Sequence, residues 1–459
     1  MSITIICDGQ IIDPAQEMDH VTADLVLQDG KVECITADPF KKLRWRMRAK
    51  ERIDASGKIV CPGFIDIHMH EDPWDEDRQM PIYNIAYCML RMGVTTCLGG
   101  NCGSNETAPD VYLNAVDRIG APVNLALMAG HSFLRRAAGG MDKYAPVDDQ
   151  AIEKMAEMCE KYLAAGCLGV SFGVKYIPGT RWEEIIALAK LCRKNDKFVS
   201  SHVRRDVDGV FDACDELARI GREAGVRVQF SHVGSMGGYG QMPRLLEQIR
   251  EYREEGVDLM CDCYPYEAFS TEIGATTYDA ENFAAYRSDY DHILLCDGPY
   301  AGQRCTKEIF EEMRATRPET MTVGYFMRGE DVEMALHAPF TMLGSDGILV
   351  GDQGHPRAAG AFPRFLRKYA LEGSFTLYQA IEKMTAMPAQ RLGLPHKGNF
   401  CPGSDADVTI FDPQTICDGA TYESPVAPPA GVECVLIGGQ VALRKGKIER
   451  GNLGRSVRR

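Results

Sequence analysis

Cys61-Pro-Gly-Phe-Ile-Asp-Ile-His-Met-His70 is a short apolar run that ends in two histidines separated by one residue. In a strand, alternate side chains share a face, so His68 and His70 project together while Ile67 and Met69 point the other way. Two imidazoles on one face can chelate a cation. A histidine pair also serves as ordinary hydrogen-bonded side chains on a polar strand face, so the rest of the chain has to decide.

On either side of a long middle the sequence is β-rich. Ile3–Cys7 precedes Asp-Gly, Asp24–Gln28 precedes Asp29-Gly30, Asp407–Phe411 precedes Asp-Pro, and Val432–Ile437 precedes Gly438-Gly439. Neither end has enough strands for a core of its own, so residues 1–60 and 396–459 are expected to pair into one small β-sandwich. The middle, 61–395, repeats a short apolar run followed by an amphipathic helix pattern. Candidate strands are Phe64–His68, Thr95–Gly99, Val123–Met128, Gly169–Phe172, Phe198–His202, Arg227–His232, Asp258–Cys263 and Thr341–Asp346. With helices such as 181–196, 207–224 and 242–256 between them, these count out an α/β fold of the (β/α)8 TIM-like barrel type. Catalytic groups then belong at strand C-terminal ends, and His68, His202, His232 and Asp346 each close an expected strand.

The chain has 459 residues and a formal charge of −14, with no long basic run expected to offset the acidic surface, which argues against a nucleic-acid or anionic-membrane partner. Seventeen cysteines without repeated spacing, and no basic-then-apolar leader, point to a reducing cytoplasm, with most thiols acting as small buried hydrophobes. No stretch approaches 18 uninterrupted apolar residues, so no transmembrane helix is expected.

Gly93-Val-Thr-Thr-Cys-Leu-Gly-Gly-Asn-Cys-Gly-Ser104 places Cys102 in a glycine-flanked turn just past the second strand. A thiolate there can bridge two cations, since sulfur has lone pairs for both; equally, Cys102 is one inert thiol among seventeen.

Pro-Gly-Phe-Ile-Asp-x-His-x-His, Gly-Val-Thr-Thr with Gly-Asn-Cys-Gly, Gly130-His131, Ser201-His202-x-Arg204, Phe230-Ser231-His232, Asp262-x-Tyr-Pro-Tyr266 and Gly344-Ser-Asp-Gly347 together resemble the amidohydrolase superfamily. The Gly-Asn-Cys-Gly turn, Tyr176-x-Pro-Gly179 and Asp-x-Tyr-Pro-Tyr resemble its N-acyl-D-amino-acid deacylase branch. The resemblance extends through Thr385–Ala389, Arg391–Gly393 and Gly403–Asp407, nearly the whole chain. It implies a metal cluster of one or two zinc ions held by His68, His70, Cys102, His202, His232 and Asp346, with Cys102 bridging. Asp346 would carry the proton from attacking water to the leaving nitrogen; apart from the resemblance it can also be a structural aspartate that caps a turn with Ser345 and Gly347.

The resemblance also assigns Tyr176, Ser270 and Arg357 to the substrate carboxylate, while a family lysine two residues after the sixth-strand histidine is replaced by Gly234. Lys175, Arg204 or Arg205 then become substitutes, with Lys175 facing either substrate or solvent, and His131 facing the cleft or serving the framework. Relatives with a carbamylated lysine in place of the cysteine keep Lys175 in view as a ligand. Residues 271–340, with Tyr278, Tyr286, Tyr290 and Tyr300, match an insertion that covers the active site; the bland alternative is a surface subdomain whose tyrosines form its own core. The expected activity is zinc-dependent hydrolysis of small-molecule N-acyl-D-amino acids. A hydantoinase-like or dipeptidase-like hydrolase and a noncatalytic scaffold are the alternatives.

Overall fold

The structure is a computed structural model and describes residues 2–459. Eight parallel strands alternate with helices between residues 64 and 343: Phe64–Asp66, Val94–Gly99, Asn124–Leu127 continued by Ala129–Gly130, Gly169–Gly173, Phe198–His202, Arg227–Phe230, Leu259–Cys263 and Thr341–Leu343. The third strand is interrupted at Met128, so its first half pairs with the second strand and its last two residues with the fourth. The ring closes where Met69 bridges Gly347 in parallel, with His70 N donating to Gly347 O and Asp346 N to His68 O.

Strand alternation sorts the apolar side chains into two layers. Ile65, Leu98, Ala126, Phe198 and Met342 cluster with Leu392 and Leu394 inside the ring. Their neighbours Phe64, Cys97, Leu125 and Val199 pack against the surrounding helices. This two-layer burial is the main source of the fold's stability, and it fixes which end of each strand presents polar groups.

The two chain ends form one continuous nine-stranded sheet running from Lys447–Ile448 through Val408–Phe411 and Ile59–Pro62 to Ile3–Asp13 and Lys31–Thr36. Ile3–Asp13 forks it, since residues 4–7 pair with Glu51–Asp54 and residues 10–11 with Ile59–Pro62. Ile6, Leu25 and Val32 of one limb share a core with Val408, Ile410 and Leu436 of the other. Cys61 and Pro62 pair with Thr409 and Val408 in this sheet, so the chain crosses into the barrel at Gly63. A Cβ there would sit 2.1 Å from the Thr95 hydroxyl, which is why the crossing needs glycine.

Three expected strands end early. The first stops at Asp66, the sixth at Phe230 and the eighth at Leu343, so His68, His70, His232 and Asp346 lie on the turns just beyond them. Side-chain acceptors bend the backbone there: Asp66 Oδ1 takes the amides of His68 and Ser345, and Asp262 Oδ1 takes that of His232. Only His202 closes its strand as expected.

The range 271–340 starts inside the strand Phe269–Glu272, which forms a small antiparallel sheet with Met321–Gly324 and Ile293–Leu295; the helices Ala280–Ala285 and Lys307–Thr316 lie between these strands in sequence. Tyr278, Phe283, Tyr290 and Phe310 stack into its core. The last helix of the range, Gly329–His337, packs on the barrel helix Met242–Glu254 and the strand Thr341–Leu343, and so belongs to the barrel.

Candidate metal centre

Six side chains of metal-ligand type converge beyond the C-terminal ends of the strands. Ligand atoms of His68, His70, Cys102 and Asp346 lie within 4.8 Å of one another, as do those of Cys102, His202 and His232. Cys102 is common to both groups. Its Sγ is 3.4 Å from His68 Nε2 and 3.4 Å from His232 Nε2, while Asp346 Oδ1 is 3.3 Å from His68 Nε2 and 3.1 Å from His70 Nε2.

Three of these residues hold left-handed backbone, with φ of 52° at Cys102, 34° at His232 and 49° at Asp346. Each costs a non-glycine residue about 1–3 kcal/mol and persists only where the surroundings impose it. For Cys102 they do so through Gly100 and Gly103, also left-handed. A Cβ on Gly100 would lie 2.4 Å from Met128 O, and one on Gly103 2.8 Å from Gly173 N, so the turn is pressed against the third and fourth strands. Asn105 secures it by donating to Glu71 and to Met128 O, and by accepting from Gly130 N.

The imidazoles are oriented from behind. His68 Nδ1 is 3.0 Å from Asp262 Oδ1, which turns Nε2 towards Cys102 and Asp346. His232 Nδ1 is 2.9 Å from Ser235 Oγ. His202 differs, because both of its ring nitrogens are buried and have no hydrogen-bond partner among the described residues. A buried imidazole left unpaired costs about 1–3 kcal/mol per polar atom, so a group outside the polypeptide belongs here.

The charges agree with a cation. Burial alone would raise the Cys102 thiol, but His68 and His232 hold it well below the ordinary cysteine range, giving a thiolate. Burial likewise works against an ionised Asp346, yet the Arg357 guanidinium and His232 and His68 keep it well below the usual carboxylate range. Against their own burial, His70 is raised to about 9 by Asp346 and Cys102, and His68 is raised by Asp262, Cys102 and Asp346. His202 is pushed down to about 4 by burial and by His232, which leaves its lone pair free. A dication replaces the protons that this anionic field otherwise attracts. The mixed sulfur, nitrogen and oxygen donor set suits zinc.

Two Amidohydrolase family profiles match, one over residues 59–225 and the other over 311–443. The D-aminoacylase of Alcaligenes xylosoxydans xylosoxydans is 34% identical over 435 residues, covering 85% of each chain. The chain belongs to the amidohydrolase family, in its D-aminoacylase branch. The solved structure of N-acyl-D-glutamate deacylase from Bordetella bronchiseptica, complexed with zinc and a phosphonate mimic of the tetrahedral intermediate, superposes with a TM-score of 0.85 at 29% identity, covering 100% of both chains. A D-aminoacylase with a binuclear metal centre superposes at 0.87 with 27% identity, covering 99% of both.

In this amidohydrolase the ligand groups open into a cavity of about 350 Å³ lined by Tyr176, Ser270, Arg357 and Lys175 among others. The Tyr176 ring lies 4.5 Å from that of His202. Ser270 Oγ donates to Thr322 O at 2.7 Å. Arg357 is 1% exposed; its Nη2 is 2.9 Å from Asp346 Oδ2, its guanidinium lies over the Tyr264 ring, and Nε and Nη1 have no hydrogen-bond partner among the described residues.

Two expectations change. Arg204 does not line the cavity: its Nε and Nη2 grip Glu216 at 3.0 and 2.8 Å, and its remaining donors face the carbonyls of Pro178 and Thr180. A helix carboxylate satisfies it, so it holds the framework. Lys175 is buried rather than solvated; its ammonium pairs with Asp206, and Tyr286 donates to the same carboxylate oxygen. His131 is likewise a framework group, buried 3.0 Å from Glu184. At Gly234 a Cβ would point at Cys263 Sγ, 2.7 Å away, so the missing family lysine leaves no gap in the cavity wall. Sequence reasoning passed over Asp262, Ser235 and Asp206. Asp262 stood inside the quoted Asp-x-Tyr-Pro-Tyr motif; the other two carry no sequence signal, since their roles depend on which loops meet.

Proposed function

We propose that the chain is a zinc-dependent hydrolase that cleaves N-acyl-D-amino acids to a carboxylate and a free D-amino acid. The observation that carries this reading is the pairing of a Cys102-centred ligand cluster with Arg357 in the wall of a cavity large enough for an acylated amino acid, where two of the arginine's buried nitrogens have no hydrogen-bond partner among the described residues. His68, His70, Cys102, His202, His232 and Asp346 would hold one or two zinc ions. Bound zinc supplies Lewis acidity, which acidifies water towards a pKa of ~7 and polarises the amide carbonyl.

The protein's own groups do the rest. Arg357, with Tyr176 and Ser270, fixes the substrate carboxylate and so sets which substituent faces the cluster. Arg357 also keeps Asp346 ionised, ready to accept the proton of the attacking water. Asp346 then returns that proton to the nitrogen, because an amine does not leave readily as an anion. The segment that begins at residue 271 contributes Glu272, Thr276 and Tyr286 to the cavity wall, which supports its reading as a cover over the side-chain or acyl pocket.

The test is amine release from matched N-acetyl-D- and N-acetyl-L-amino acids with acidic, basic and apolar side chains. Turnover of the D series alone is expected. Turnover of cyclic amides with none of linear ones would replace this reading with the hydantoinase-like one.

A further inference from the structure

The helix Pro39–Arg48 lies on the terminal sheet and half-buries only one side. Its inner face is fixed: Trp45 and Ala49 pack on Ile3, Ile5, Cys7 and Val26, Arg46 pairs with Asp24 at 2.7 Å, and Lys42 with Asp8 at 2.8 Å. Asp38 caps its start by accepting the amides of Phe40 and Lys41. At 100° per residue, Phe40, Leu43 and Met47 fall together on the opposite side, where they are 85%, 59% and 75% exposed. Exposed Lys41, Arg44 and Arg48 flank them, with Lys50 and Arg52 just beyond, and none of the five is paired with a carboxylate among the described residues.

Residues 39–50 carry six lysines and arginines and no acid, in a chain of net charge −14. The overall acidity, from which no membrane partner is expected, hides this strip. Among the described residues no helix is long and apolar enough to cross a membrane, so any contact lies in the plane of the surface.

We propose that this face docks the enzyme on an anionic lipid bilayer, with Phe40, Leu43 and Met47 among the acyl chains and Lys41, Arg44, Arg48 and Lys50 on headgroup phosphates. Three apolar side chains alone or four cations alone bind a bilayer weakly, and the combination on one in-plane helix supplies both attractions. A second copy of the same helix fits poorly, because the cationic rims repel. Three acids beside the helix are already taken: Asp8 and Asp24 pair with Lys42 and Arg46 of its inner face, and Asp38 accepts the amides of its first turn.

The zinc-loaded enzyme is sedimented with vesicles of phosphatidylcholine alone or with phosphatidylglycerol. Binding is expected only to the anionic vesicles, falling as salt rises. F40S/L43S/M47S and, separately, K41Q/R44Q/R48Q are each expected to weaken it at least about tenfold. Both variants are expected to keep the parent melting temperature and amine release, since none of these residues lines the cavity. No binding to anionic vesicles, equal binding to neutral ones, or binding that either variant leaves intact would overturn the proposal. So would a dimer in vesicle-free solution that the same substitutions abolish, because the face would then serve a second copy.

Discussion

Asp262→Asn replaces a buried carboxylate by a group of the same shape with one acceptor oxygen fewer. In the parent, Oδ1 takes the backbone amide of His232 at 2.7 Å and faces His68 Nδ1 at 3.0 Å, while Oδ2 accepts from Gln229 Nε2 at 3.0 Å. If the new amide keeps its oxygen on the histidine side, its NH2 meets the Gln229 NH2. Gln229 is not free to turn over, because its Oε1 accepts from Arg391 Nε at 3.2 Å. If the amide flips instead, its NH2 faces the His232 amide and His68. His68 then carries its proton on Nε2, the atom that faces Cys102 and Asp346. Either way a buried donor goes unpaired, at about 1–3 kcal/mol. Losing the partner of a metal-bound histidine typically weakens metal affinity by about 10–100-fold, or ~1.4–2.8 kcal/mol. Chelator-competition titration of zinc, alongside thermal melting, reads both effects. A variant with zinc affinity and melting temperature within about twofold and 1 °C of the parent would refute the orienting role of Asp262.

Arg357→Lys keeps the charge beside Asp346 but removes the planar fork; KM for N-acyl substrates is expected to rise at least ~10-fold with a smaller change in kcat, and an unchanged KM would count against Arg357 as the carboxylate clamp. Lys175→Met leaves Asp206 buried without its counter-charge, an expected loss of about 3–5 kcal/mol in denaturant unfolding, which Lys175→Met/Asp206→Asn should largely restore; equal stability of the single variant and the parent would contradict the buried pair. Burial pushes Lys383 from 10.5 down to about 8, and its amine donates to Ala338 O and Thr341 O at 2.8 Å. The folded state thus favours the neutral amine. This group's contribution is complete above pH 10.5 and is lost as pH falls through about 8, a swing of ~3 kcal/mol. The stability of the parent relative to Lys383→Met should therefore rise from pH 8 to pH 10, and a constant difference would show that Lys383 is not depressed.

The barrel was legible in the sequence because alternating apolar runs of parallel strands separate cleanly from helical periodicity, and all eight runs reappear as strands. Strand ends were not legible. His68, His232 and Asp346 were expected in strands, but the ladder stops earlier because Asp66 and Asp262 capture backbone amides from neighbouring segments, a tertiary event with no local signature. Spacing placed the ligand-type residues on one rim, whereas the roles of long cations depended on distant partners. Arg204 is claimed by Glu216 on the following helix and Lys175 by Asp206 on the next loop. The strip 39–50 was missed for a different reason: net charge averages over the surface and conceals a local excess of the opposite sign.

The decisive experiment follows zinc binding per chain and amine release together during zinc titration of the demetallated parent and of Cys102→Ala. Parent activity on an N-acyl-D-amino acid is expected to rise with zinc to a plateau at one or two equivalents. Cys102→Ala should lose both the tight binding and the turnover. If Cys102→Ala matches the parent in both, the thiolate is not the hinge of the cluster, and a carbamylated Lys175 becomes the bridging group to examine.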